Sequence, residues 1–192
     1  MDPIQAPKLA PPGAGLPALE LFFARRLFAL KRILGNRQNF IHEFTTQKEA
    51  ILTLARSCAP DQRRKRVLIP RLPGLEDSSR YWSIWMTLEH LRITNNVFGQ
   101  VITALLNGQA PEKKASTAAV KPNEILTEEV EDAFDASCDA FLATIHAAGD
   151  LNRTAKYAHP WFGPLDGYGW LAMAAMHPNI HRKQIMRILE RL

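Results

Sequence analysis

Apolar positions recur at three- and four-residue spacing along most of the chain, and this helical period dominates the sequence. From about Pro17, the residues Leu19, Phe22, Phe23, Leu27, Leu30 and Leu34 mark one face of a first helix. Gly35-Asn36 stops or kinks that run. A second stretch, from about Arg37 to Ser57, takes its apolar side from Phe40, Ile41, Phe44, Ile51, Leu52 and Leu54. Two helices and one bent helix fit this pattern equally. Ala59-Pro60 ends it, and residues 59–78, with Pro70, Pro73 and Gly74, read as a long connection of the kind that often lines a site. Ser78 or Ser79 can cap the next helix, which runs through Tyr81, Trp82, Trp85 and His90 to about Leu106 and closes at Asn107-Gly108.

Residues 108–126 are polar, hold two prolines and paired lysines, and read as a loop. Thr127 is placed to cap a helix whose first turn carries Glu128, Glu129 and Glu131, the charge that suits that end of the helix dipole. Val130, Phe134, Phe141 and Ile145 form its buried stripe, and it ends before Gly149. After a loop over 150–165, Asp166 can cap a last helix that continues to the C-terminus, with Gly167 and Gly169 weakening its start. No run alternates like a strand over a useful length, and no glycine-rich phosphate loop is present. The expected fold class is all-α: a four-helix bundle with an additional N-terminal helix and long crossover loops. Residues 1–16, with Pro3, Pro7, Pro11 and Pro12, form a flexible or extended leader, and 17–192 a single domain.

Composition narrows the function classes. The 192 residues are 46% hydrophobic with a net charge of +5, so the chain has the apolar content for a buried core. The positive charge is scattered except at Arg63-Arg64-Lys65-Arg66, which reads as a solvated loop with no interleaved aromatics. Nucleic acid is therefore not an expected partner. The stretch Leu16–Leu34 is interrupted by five charged residues, well short of the roughly 20 apolar residues of a span. Packing on the bundle is its expected fate, ahead of lying on an anionic membrane surface. Nothing reads as a targeting signal, which leaves the cytoplasm as the default compartment. Cys58 and Cys138 suggest neither a disulfide framework nor a zinc ribbon, and Cys138, between Phe134 and Phe141, reads as a packed core residue. A homodimer is compatible with an apolar helical chain of this size.

The histidines carry the candidate chemistry. His177 and His181 stand four apart on the last helix, one turn apart on one face. Their line continues through Trp170, Met173 or Ala174, then Gln184 and Ile188, so it points to the core. Pro178 removes a helix hydrogen bond between them and is expected to kink the helix. His90 lies mid-helix among Met86, Ile93 and Val97. It reads either as a buried ring satisfied by a carbonyl or a hydroxyl such as that of Thr94, or as a ligand. In a bundle the three can converge on one ion and leave its other positions open. Glu89 points about 100° away from His90 and reads as an outer or surface carboxylate. His42 could reach the site if its helix lies alongside but reads as a surface residue, His146 closes a helix where positive charge suits the dipole, and His159 is a loop residue before Pro160.

Two segments also resemble a known family. Trp82-Ser83-Ile84-Trp85-Met86-Thr87-Leu88-Glu89-His90-Leu91 resembles the helix of DinB-like (DinB/YfiT-like) proteins that carries their first metal histidine. His159-Pro160-Trp161-Phe162-Gly163-Pro164-Leu165, then Trp170, His177, His181 and Gln184, resembles their last loop and helix. The resemblance covers roughly residues 37 to 192. It departs where family members often carry a Ser/Thr–Glu capping box, since Asp166 and Gly169 stand there, and at Pro178. It implies a four-helix bundle with His90, His177 and His181 holding one divalent transition metal: zinc, nickel or iron. The family includes thiol-dependent S-transferases and isomerases that use low-molecular-weight thiols, and many members without a known reaction. A metal-dependent enzyme acting on a small-molecule substrate, with such a thiol, is the expected function. The alternative is a non-catalytic metal-binding or stress-response protein.

Overall fold

A computed structural model describes residues 7–152 and 154–192. Its six helices are α1 (Ala18–Leu34), α2 (Arg37–Ala55), the single turn α3 (Pro60–Arg63), α4 (Ile84–Leu106), α5 (Glu129–Ala147) and α6 (Gly167–Leu189). Two small antiparallel pairs join them: β1 (Val67–Leu68) with β2 (Tyr81–Trp82), and β3 (Tyr157–His159) with β4 (Gly163–Leu165). Helices α2, α6, α4 and α5 close a ring in which each packs on two neighbours. The fold is the expected four-helix bundle with one extra N-terminal helix. Phe44 and Phe141 meet across α2 and α5 with ring centroids 4.8 Å apart, and Leu88, Leu91, Phe134 and Ile185 fill the centre.

The helix boundaries have local causes. Asn36 accepts a hydrogen bond from the Asn39 amide and starts α2 as a separate helix. Ser83, not Ser78 or Ser79, caps α4 by accepting from the Met86 amide. Tyr81-Trp82, expected inside that helix, is instead the strand β2. Thr127 makes no side-chain cap; Glu128 occupies the cap position of α5. Asp166 caps α6 as expected, accepting from the Gly169 amide at 2.7 Å. Helix α6 runs on through Pro178 as a single element.

The strands escaped the sequence pattern because two- and three-residue ladders are too short to alternate. The β3–β4 turn spans Pro160–Phe162, and Gly163 closes it at φ +71°, the left-handed conformation that three-residue hairpin loops require. This hairpin lays His159, Trp161 and Phe162 beside α6.

Two polar readings are corrected by burial. Arg63 is not part of a solvated run: it ends α3, is buried, and meets the buried Glu131 at 2.7 Å. Glu89 is buried as well, and both its oxygens accept from Arg92.

Helix α1 docks by the face opposite its apolar stripe. Only Phe28 is buried, against Phe162. Its other attachments are polar: Glu20 to Arg71 and the Gly74 amide, Arg25 to the Trp161 carbonyl, Lys31 to Glu43, and Arg32 to Asp166. Leu19, Phe22, Phe23, Leu27, Leu30, Ile33 and Leu34 remain 50–77% exposed. Among the described residues no helix is long and apolar enough to cross a membrane.

Candidate metal centre

Helix α4 presents His90 and helix α6 presents His177 and His181 to the same point. The Nε2 atoms of His90 and His177 lie 3.2 Å apart, and those of His181 and His177 3.1 Å apart. Three nitrogens around one ion at about 2.0–2.1 Å in tetrahedral directions would stand about 3.3 Å from one another. Both pairs that involve His177 are therefore at ligand spacing, and all three donor atoms lie within 4.8 Å of one another.

The other ring nitrogens explain the orientation. His90 Nδ1–H donates to the Val120 carbonyl at 2.6 Å. His181 Nδ1–H donates to Gln184 Oε1 at 2.7 Å, and the Gln184 amide is itself oriented because its NH2 donates to the Ser79 carbonyl at 2.8 Å. Both rings thus carry their proton on Nδ1 and turn a bare Nε2 inward, the tautomer a metal ligand needs. His177 differs: its Nδ1 is buried with no hydrogen-bond partner among the described residues. Its Nε2 can hand a proton to only one of its two neighbours. A cation at the centre satisfies all three inward nitrogens at once.

Burial is the main reason these rings resist protonation. It pushes His90 down to about 4, with Lys121 adding to the effect against the Val120 hydrogen bond. His177 and His181 lie well below the ordinary imidazole range, again chiefly through burial and then through their neighbouring histidines. Neutral imidazole is the ligating form.

Apart from Phe98 on α4, the surroundings come from segments without helical pattern. Trp82 on β2 stacks on His181 at 6.2 Å between centroids and lies 5.2 Å from His90. Phe98 meets His177 edge to face. Glu76, in the long 59–78 connection, accepts from Lys121 at 2.9 Å and Thr117 at 2.8 Å. The amides of Gly13 and Gly15 also reach it, and Ala10 reaches Asp77, so residues 10–15 run non-helically along the site and are anchored there. One glutamate thus ties down both the leader and the segment that carries the Val120 carbonyl.

Two spaces flank the histidines. A small pocket of about 60 Å³ touches His90 and His181 and is lined by Glu76, Ser79, Thr117 and Lys121 together with Leu75, Val120 and Trp161. A cavity of about 380 Å³ touches His177 and His159. His159 was not expected here. Its Nδ1 accepts from the Trp161 amide, and burial holds it at about 4. The histidine in its HP-x-x-G-P-L loop was the signal available in the sequence. Val120 acts through a backbone carbonyl and had none. His42 is exposed, as expected, and His146 is exposed at the end of α5.

The fold and this cluster define a class: a four-helix bundle whose paired inner helices bring three histidines together in an arrangement that can hold a metal ion. The family model of the DinB superfamily matches residues 43–185, and the chain belongs to that superfamily. Among solved structures it is similar to TT2238, described as a four-helix bundle protein, with 23% identity and a TM-score of 0.56 over 79% of this chain and 98% of that one. No curated protein matches the chain.

Proposed function

We propose that this protein holds one divalent transition metal on His90, His177 and His181 and uses it as a metal-dependent enzyme on a small molecule, of the thiol-dependent S-transferase or isomerase kind. The observation that carries the reading is the convergence of three Nε2 atoms, two of them fixed as bare donors by Val120 and Gln184. Three protein ligands leave further positions open, the pattern of catalytic sites. Zinc, nickel and iron all accept imidazole, and supply decides among them. A bound metal of this kind would acidify a coordinated thiol or water and act as a Lewis acid.

The chain's own residues support thiol chemistry with a thiol from outside. Burial pushes the Cys138 thiol up to about 12 and raises Cys58, so neither is a ready nucleophile. Glu76 and Glu89 are consumed by Lys121, Thr117 and Arg92, which leaves neither as a free base. Trp82 and Phe98 shield the histidine flanks from water, while the two spaces give access from either side.

The test is a transfer assay with 1-chloro-2,4-dinitrobenzene and glutathione, cysteine or coenzyme A. Acceleration that requires both metal and thiol, and disappears in His177→Ala, is the expected result. Bound metal with no acceleration by any thiol would favour the non-catalytic metal-binding reading.

A further inference from the structure

The larger cavity shares Gly74 and Trp161 with the small pocket, and the rest of its wall is mostly apolar. Phe23 and Leu27 come from α1, Trp161 and Phe162 from the β3–β4 hairpin, and Met176 and Ile180 from α6. Gly74 completes the rim at φ +82°, where an added Cβ would stand 2.9 Å from the Ile180 side chain. The volume of about 380 Å³ is in the range of small-molecule sites.

The polar groups on this wall are few. Glu20 is spent on Arg71 and on the Gly74 amide at 2.6 Å. His159 and His177 are the other two polar side chains that reach the cavity. A charged ligand would lose its hydration along this wall without gaining a counter-charge from its side chains. Aromatic and thioether walls instead suit a flat, polarisable body. Helix α1 lies outside the residues 43–185 that the family model matches.

We infer that this cavity is the substrate-body site, that it takes an uncharged aromatic or alkyl molecule, and that α1 sets this selectivity. The inference rests on the proposed function in taking the His177 side as the side from which substrate reaches the histidines.

The test uses two fluorophores with one skeleton, N-phenyl-1-naphthylamine and its 8-sulfonate, on chelator-treated protein. The neutral probe is expected to bind at least tenfold more tightly than the sulfonate. Ala24→Trp, which fills the cavity from α1, should remove that binding, whereas Ile33→Ser, on the outward face of α1, should leave it unchanged. Equal affinities for the two probes in wild type would overturn the inference whether or not Ala24→Trp folds. So would binding that Ile33→Ser removes and a folded Ala24→Trp retains. Because the readout needs no metal, a protein that takes up no metal but discriminates the probes fails the proposed function and keeps this inference. A protein that takes up metal and does not discriminate does the reverse.

Discussion

Two of the buried polar centres in the bundle are built on opposite plans. Between α3, α4 and α5, Glu131 accepts from Arg63 at 2.7 Å and from Trp85 Nε1 at 2.9 Å, while Arg63 also donates to the Cys58 carbonyl. Charge meets charge there, and donors meet acceptors. Between α4 and α6, two neutral rings turn bare Nε2 atoms toward His177, whose Nε2 proton can serve only one of them. The first centre is complete within the chain and serves the fold. The second is arranged at the expense of internal pairing, and what would complete it is a cation.

The largest expected effect of breaking that contrast is at the first centre. Glu131→Ala strands a buried guanidinium and an indole N–H, and should cost about 3–5 kcal/mol in denaturant unfolding with metal content per folded chain unchanged. At the second centre, zinc at about a thousand times its Kd should stabilise the protein by about 4 kcal/mol, and His181→Ala should abolish the gain. Gln184→Met removes the acceptor that fixes the His181 tautomer. Zinc affinity measured by competition with a chelating dye should fall about 10–100-fold.

Per pH unit and per histidine, the smallest effect is a slope. Burial holds His90 and His159 at about 4, against 6.5 for a free ring. Between those values the unfolded chain takes up protons that the folded chain refuses. Metal-free stability should therefore be level above pH 7 and fall as pH drops from 6.5 toward 4, by about 1.4 kcal/mol per unit for each such histidine. Urea titrations across that window read it directly, and a flat profile would mean that the rings are accessible to protons.

The contrast also explains what could be read in advance. The bundle was legible because α2, α4, α5 and α6 each repeat apolar residues at helical spacing. The triad was legible because His177 and His181 share one face and His90 sits mid-helix. Helix α1 misled: Leu19, Phe22, Phe23, Leu27, Leu30 and Leu34 form a clear stripe, yet the helix docks through Phe28 and polar tethers on the other side. Periodicity identifies a face and does not say what it meets. Arg63 looked solvated within its basic run because its partner Glu131 lies 68 residues away in sequence. Trp82 and Val120 were beyond reach because a two-residue strand and a backbone carbonyl leave no pattern.

The most direct test of the central claim is metal content by mass spectrometry on tag-free wild-type protein beside His177→Ala. The account predicts close to one equivalent of a transition metal in wild type and none in the variant, whose fold, read by circular dichroism, stays intact. Wild-type protein that holds no metal after incubation with zinc, nickel or iron(II) would contradict it.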